Sequence, residues 1–316
     1  MGGYAIVQGS LNIDLVMRGR RLPGRGESVL GDSFDSFPGG KGANQAVQLA
    51  RLGLVTTMIG RVGTDVYGDQ LIESLQAAGV RTDYVARDEE HGTGKGWVFI
   101  DDAGDNYIIV ISEANMQWQA ADLAPMIELC AGADLFLCQL ETPVHIVDGA
   151  LRQAKAAGAL TVLNAAPATE LPALLFPYVD VIVLNQTEAA FYTGGQVKGV
   201  DGALAGAAEL RELGCGAAVI TLGEQGAIAC SAAGAFHCGA YTVDTVDVTA
   251  AGDSFCACLA YALVKGQDLS AALPFACAGG ALTVTREGAQ PSLPTLAEIQ
   301  AFLEDRGTAY GSQDHI

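Results

Sequence analysis

The sequence predicts an α/β fold: a largely parallel β-sheet with helices on both faces, carrying a small accessory sheet. Three observations lead there. From about residue 121 to 306, short apolar runs alternate with helical periodicities at lengths that suit right-handed βαβ units. Glycine is abundant, at 40 residues, and aromatics make up only 7%, a balance that many tight βα turns would produce. Two β-rich stretches, 13–36 and 94–111, fall outside the alternation and supply the small sheet.

Taken in order, YAIVQGS (4–10) reads as a short buried strand ending in a turn. In 13–36, alternating apolar residues are broken by Pro23, Gly24, Gly26 and Gly31, which favours strands joined by turns over a helix. GANQAVQLARLG (42–53) has helical spacing and a glycine stop. VTTMIGRVG (55–63) is a strand, and DVYGDQLIESLQAAGV (65–80) a helix opened by Asp65. GKGWVFIDDAGDNYIIVI (94–111) forms a hairpin turning at DDAGDN. A helix over 121–130 leads to the strand ADLFLCQL (133–140), and PVHIVDGALRQAKAAG (143–158) leads to ALTVLNAAP (159–167). The strand YVDVIVLN (178–185) precedes the helix QTEAAFYTGG (186–195), and DGALAGAAELRELG (201–214) precedes the strand AAVITLG (217–223). GAIACSAAGAFHC (226–238) is hairpin-like, and helices follow at 252–265, about 270–285 and 295–306. The tail 307–316 is polar and is expected to fray. With 316 residues and 50% hydrophobic composition, the chain fills one large domain, 1–306, with no linker or repeat.

Composition excludes several classes of function. A formal net charge of −19 with no Lys/Arg cluster argues against nucleic acid and against acidic membrane surfaces. No apolar run is long enough to span a bilayer, and the start MGGYAIVQGS lacks the basic and apolar regions of a signal peptide. The eight cysteines contain no CxxC and sit mostly in apolar runs, so buried reduced thiols in a cytoplasmic protein are expected. The four histidines share no metal-ligand spacing.

In sheets of this kind, ligands bind beyond the carboxyl ends of the strands. The polar residues falling there are Asn12 and Asp14, the 39–44 loop, Glu141, Asn164, Asn185 with Glu188, the 221–226 turn and the 247–253 loop. FPGGKGANQA (37–46) reads either as a glycine loop closing on a ligand or as a tight turn; it is not a Walker loop, because Gly42 follows Lys41. NQTE (185–188) could place Asn185 near a phosphate and Glu188 near hydrated Mg²⁺, but the spacing alone favours a capping box. TLGEQG (221–226) is equally a hairpin turn or a loop under a nucleotide. DVTAAGDSF (247–255) is the sharpest signal. Ala250, Ala251 and Gly252 leave backbone N–H groups accessible at a helix N-terminus, where negative charge is stabilised. Asp253 beside them would take a proton from an attacking hydroxyl. A simple cap needs no such run of small residues.

The set GSLNID, GGKGANQA, QLET, LNQTEA, TLGEQG, AAGDSF and TREGAQPS resembles, in order and approximate spacing, the motifs of the ribokinase-like (PfkB) family of ATP-dependent sugar kinases. The resemblance runs from about residue 4 to 303. It implies a three-layer α/β/α sandwich with a small β-sheet lid, drawn from 13–36 and 94–111, and a homodimer whose lids pack together. It implies ATP and a small sugar as substrates, with D-ribose phosphorylated at its 5-hydroxyl as the first expectation. Another pentose, deoxyribose or a nucleoside is the alternative within the class, and a non-catalytic sugar or nucleotide sensor the alternative outside it.

Residue by residue, the resemblance implies that Asn12, Asp14, Gly40, Lys41, Asn44 and Glu141 bind the sugar. It makes Asp253 the base and the amides of Ala250, Ala251, Gly252 and Asp253 the anion hole. Asn185, Thr221, Gly223, Gly226, Gly252 and Cys277 match ATP-contacting positions, and Glu188 matches an acidic residue acting on Mg²⁺ indirectly. A monovalent cation, usually K⁺, would lie among Asp247, Thr249, Ser292 and the carbonyls of Val284, Glu287 and Ala289. Two segments depart from the family pattern on the lid: Lys95-Gly96-Trp97, and ISEAN at 111–115.

Overall fold

The computed structural model describes residues 3–103 and 105–307. The strands are β1 (Tyr4–Gln8), β2 (Asn12–Arg18), β3 (Ser33–Gly39), β4 (Val55–Gly63), β5 (Arg81–Asp88), β6 (Gly94–Ile100), β7 (Asn106–Ile111), β8 (Leu135–Cys138), β9 (Leu160–Asn164), β10 (Val181–Asn185), β11 (Ala217–Thr221), β12 (Ala227–Ser231) and β13 (Gly234–Cys238). The helices are α1 (Lys41–Arg51), α2 (Val66–Ala77), α3 (Ala124–Cys130), α4 (Val144–Ala156), α5 (Gln186–Thr193), α6 (Gly199–Glu212), α7 (Ala251–Val264), α8 (Leu269–Thr283) and α9 (Leu296–Asp305).

Nine strands form the main sheet in the order β13-β12-β11-β10-β9-β8-β1-β4-β5. From β11 to β5 every pairing is parallel, and the hairpin β12–β13 adds an antiparallel edge. The parallel strands read as continuous apolar runs because both of their faces are buried. Along β1, Ala5 and Val7 enter one core and Ile6 the other; along β8, Leu135 and Leu137 part from Phe136 and Cys138 in the same way. The first core is roofed by α1, α2, α7, α8 and α9, through Val47, Leu71, Leu259, Phe275 and Ile299. The second lies under α3 to α6, through Met126, Ile146, Ala189 and Ala207. This is the three-layer sandwich.

The second sheet has four strands, β3-β2-β6-β7, drawn from the two stretches that fall outside the alternation. Its β2 follows β1 after three residues, and β3 runs through Gly39 into α1. Both connections cross the carboxyl end of β1, so the small sheet hangs over the end of the main one. Its outer edge is apolar and uncovered: Tyr107, Ile108, Ile109, Val110 and Ile111 of β7 are all exposed, Ile109 by 65%.

Strand β5 is unforeseen by the apolar pattern. RTDYVARD buries only Val85 and Asp88, as befits the edge of a sheet, where hydrophobicity does not dictate the strand. The helix expected over 121–130 begins as a 3₁₀ turn at 120–123 and becomes α-helical at Ala124. Apart from Gly307, the tail lies outside the described residues.

Candidate active site

The site forms where β1, β8, β9 and β10 end and α1 and α7 begin. Helix α1 opens at Gly40, whose φ of 89° only glycine adopts without strain. A Cβ on Gly40 would lie 2.6 Å from the Asn12 nitrogen, and one on Gly42 would lie 2.7 Å from the Ser10 nitrogen. The glycines of GGKGANQA therefore let α1 start directly against the end of β1. That contact brings Lys41, Asn44 and Gln45 into the site.

Helix α7 opens at Ala250, in the left-handed region at φ 61°, with Ala251 the first helical residue. Non-glycine residues rarely hold that conformation. It sharpens the turn, so Asp253 falls in the first helical turn and the early amides lie at the helix end. Asp253 is only 7% exposed. Asn44 donates from Nδ2 to its Oδ2 at 2.9 Å, and Gln45 donates from Nε2 to its Oδ1 at 2.9 Å. Burial pushes the Asp253 carboxyl up from its ordinary value; Lys41 and the Asn44 and Gln45 amides pull it back, and Glu141 adds to the rise.

Around Asp253 stand the other charged residues of the site. Lys41 Nζ lies 3.8 Å from Glu141 Oε1. Burial would lower the Lys41 ammonium, but Asp253, Glu141 and Glu188 outweigh it and raise it. Ser10 donates from Oγ to Glu141 Oε2 at 2.5 Å. Asp14, on β2, is ringed by glycines: a Cβ on Gly39 would lie 2.3 Å from its Oδ2, and one on Gly96 2.4 Å from its Oδ1. Burial, with Glu141 and then Asp253 nearby, raises the Asp14 carboxyl to about 7, with Lys41 opposing. Asn12 is fixed by Asn115, whose Nδ2 donates to Asn12 Oδ1 at 2.7 Å and whose Oδ1 accepts from the Leu11 amide at 2.9 Å. The ISEAN departure thus places Asn115 against Asn12. Lys95 donates to Thr93 O at 2.9 Å and lies 3.6 Å from Glu113, while Trp97 is 45% exposed.

Beside the α7 N-terminus lies a cavity of about 670 Å³. Thr221, Gly223, Gly226, Ala251, Gly252 and Cys277 line it. Gly226 has φ 87°, and a Cβ there would lie 1.9 Å from Cys238 O, so the turn packs on the backbone after β13. Ala240, Tyr241, Thr242, Val243 and Thr245 also line this cavity and are not singled out by the sequence; apolar and hydroxyl residues there leave no motif. Asn185 is not among the cavity's lining residues. It caps α5, with its Oδ1 accepting from the Glu188 amide and Glu188 Oε2 accepting from the Asn185 amide, both at 2.8 Å. The capping box is therefore present. Glu188 still faces the site: burial raises its carboxyl, and Lys41 and Asp253 act on it.

The residues expected to hold a monovalent cation fall on two loops tied together. Asp247 accepts through Oδ1 from the Thr249 amide at 2.9 Å and through Oδ2 from the Gly288 amide at 2.9 Å. Val284 O accepts from the Val246 amide at 2.7 Å, and Ala289 O accepts from Ser292 Oγ at 2.7 Å. Glu287 lies between them in sequence. Among the described residues no group of three or more His, Cys, Asp or Glu side chains could hold a metal ion.

The remaining residues of note are amides. Gln139 donates from Nε2 to Gln45 Oε1 at 2.6 Å, and Gln45 Nε2 also reaches Asn164 Oδ1 at 3.1 Å. Gln45 and Gln139 are missed by sequence reasoning, although Gln45 stands within GGKGANQA beside Asn44. The cysteines remain unpaired, and no described helix is long and apolar enough to cross a membrane. His91 and His237 serve local bonds to Asp88 and to Gln225 O; His145 lies early in α4, and His315 lies outside the described residues.

Fold and site together define a class: an α/β/α sugar kinase with a β-sheet lid. The chain belongs to the pfkB family of carbohydrate kinases, whose model matches residues 4–296. It is 36% identical over 301 residues to the ribokinase of Staphylococcus aureus (strain COL), spanning 95% of this chain and 99% of that one. It is 33% identical over 298 residues to the deoxyribokinase of Salmonella typhi, spanning 94% and 97%. The structure of Arabidopsis thaliana ribokinase complexed with ribose and ATP matches with a TM-score of 0.91 at 31% identity, covering 96% of this chain and 99% of that one.

Proposed function

We propose that this protein transfers the γ-phosphoryl group of ATP to the 5-hydroxyl of D-ribose. The observation that carries the reading is Asp253, held by two amides in the first turn of α7, next to the cavity that Ala251 and Gly252 line. Residues 1–306 act as one kinase unit in a reducing cytoplasm, a setting supported by eight unpaired cysteines.

In this reading Asp14 and Asn12 hold ring hydroxyls from the lid side, and Lys41, Glu141 and the Gly40 turn hold them from the main sheet. Asn44 has a buried Oδ1 with no partner. On sugar binding Asn44 turns to the substrate and releases Oδ2 of Asp253. That oxygen then accepts the 5-hydroxyl proton as the hydroxyl attacks phosphorus. The amides of residues 250–253 stabilise the charge in flight. Thr221, Gly223, Gly226 and Cys277 hold the nucleotide, with Asn185 at its phosphate end. Lid closure excludes water, which protects ATP from hydrolysis. Magnesium fits beside Glu188, whose Oε2 is held by the Asn185 amide, and when bound it would neutralise phosphate charge. Potassium fits the 247–249 and 284–292 oxygens and would order the loop ahead of α7.

Coupled ADP release across a pentose panel tests the substrate. Ribose is expected to give the highest kcat/KM; turnover confined to deoxyribose or to nucleosides would overturn it. The deoxyribokinase relative makes deoxyribose the second reading, because an enzyme that hydrogen-bonds a hydroxyl discriminates strongly against its absence. In the same assay K⁺ is expected to raise the rate over Na⁺ or no added salt, and an unchanged rate removes the Asp247–Thr249 site.

We also propose a homodimer closed through the lids, supported by the exposed apolar β7 and by Phe34 and Trp97 on the same small sheet. Sedimentation is expected to give twice the chain mass, and Ile109→Lys to give the single-chain mass.

A further inference from the structure

We propose that Gln45 is a positioning residue that holds Oδ1 of Asp253, so that Oδ2 alone is left to meet the sugar hydroxyl. The inference rests on Asp253 being the base.

The geometry separates the two amides that touch Asp253. Asn44 is half-satisfied: its Nδ2 donates to Oδ2, and its own oxygen is buried with no partner. Gln45 is wholly buried, at 0% exposure, and its amide is satisfied at both ends. Its Nε2 donates to Asp253 Oδ1 at 2.9 Å and to Asn164 Oδ1 at 3.1 Å. Its Oε1 accepts from Gln139 Nε2 at 2.6 Å. The carboxylate fixes which way the amide faces, because Asp253 Oδ1 only accepts and so requires the NH₂ group on its side, leaving Oε1 for Gln139. Asn164 is anchored in turn through Nδ2 to Val183 O at 3.3 Å.

The amide of Gln45 is therefore clamped from the ends of β8 and β9 and points one donor at the acid and the other at Asn164. Three neighbouring amides taken out of water are costly, and here only Gln139 Oε1 goes without a partner, while both ends of the Gln45 amide are bonded. Asn44 is free to exchange partners; Gln45 is not. The two adjacent residues thus divide the work, one leaving Asp253 when substrate arrives and one staying.

The groups facing Asp253 are Lys41 from α1, Asp14 from β2, Glu141 after β8, Glu188 from α5 and Cys256 from its own helix. Of these Lys41 alone is a cation. An amide donor on Oδ1 therefore also favours the carboxylate over the acid, against burial and three other carboxyl groups.

The test is the pH dependence of kcat at saturating sugar and ATP in the full-length enzyme. Gln45→Met keeps the volume and removes the donor. It is expected to lower kcat ~10- to 100-fold, to leave the sugar KM within about twofold because Gln45 does not reach the sugar, and to move the acid limb up by ~1 pH unit. Asp14 is coupled to Asp253 through their charges, so Asp14→Asn is carried as a second background, in which the shift of the acid limb on Gln45→Met is expected to persist. Gln139→Leu leaves Gln45 in place but unanchored, and is expected to move the limb in the same direction by a smaller amount; it decides alone if Gln45→Met does not fold. An acid limb that stays put in the soluble variants, or a loss seen mainly in KM, overturns the inference. Asp253→Asn, run alongside, separates the two levels. If it retains turnover, the base assignment itself fails; if it is inactive while the Gln45 and Gln139 profiles do not move, only the positioning role fails.

Discussion

Asp253→Asn is expected to lower kcat by ~10²- to 10⁴-fold while ribose still binds within a few-fold of its native affinity. The size follows from the proposed role: a general base supplies a factor of that order, and the amides proposed as the anion hole, being backbone, survive the substitution. The proposed sugar contacts lie on Asn12, Asp14, Lys41 and Glu141, so binding is expected to persist. Folding should persist as well. The acid is buried, and burial already disfavours its charge, so a neutral isostere of the same shape is tolerated. Asn44 can turn its amide to present oxygen to the new NH₂ group. Steady-state turnover and calorimetric titration of ribose check the two halves separately. Near-native turnover would remove Asp253 from the chemistry.

Asp14→Asn is expected to make the protein more stable and the enzyme much worse. Burial, then Glu141 and Asp253, hold the Asp14 carboxyl at about 7, against a reference value of 3.8. The folded state therefore binds this proton more tightly than the unfolded chain does. Stability contributed by Asp14 is greatest at low pH, falls as pH rises from about 4, and levels off above about 7. The full penalty is about 4 kcal/mol, at 1.36 kcal/mol per unit. Asparagine carries no such penalty. The melting temperature of Asp14→Asn without sugar is expected to exceed the wild type by several degrees at pH 8. That gap should narrow by pH 5. The sugar KM should rise ~10- to 100-fold, the cost of losing hydrogen bonds to a charged acceptor. For the wild type, the same titration predicts a sugar KM that rises as pH falls through about 7. A variant less stable than wild type at every pH would show that Asp14 is not held at a cost.

Much of this architecture was legible in the residues, for reasons that differ by element. Parallel strands buried on both faces, such as β1, β8 and β10, announce themselves as apolar runs. Helices with caps do so as well: Asp65 accepts from the Gly68 amide where α2 opens. Strand β5 was not legible, because an edge strand answers to backbone pairing with β4 and not to burial. At the site, Asp253 and the glycines of GGKGANQA stood out because each answers a local demand for a helix end or a close backbone approach. The amide relay from Gln139 through Gln45 did not. It joins residues 94 positions apart, and only the packing of α1 against the ends of β8 and β9 brings them together. The cavity wall of Ala240, Tyr241, Thr242, Val243 and Thr245 was hidden for a related reason: its residues are ordinary, and their position matters more than their chemistry.

The uncovered β7 has a consequence for handling the protein. It is the terminal strand of the small sheet, with one row of backbone donors and acceptors unpaired and five consecutive apolar side chains facing water. Such a segment recruits further strands from whatever copy it meets. In the proposed lid-to-lid dimer that edge is covered; a substitution that separates the protomers would expose a template for fibril-like stacking, and turbidity on standing should then grow with protein concentration.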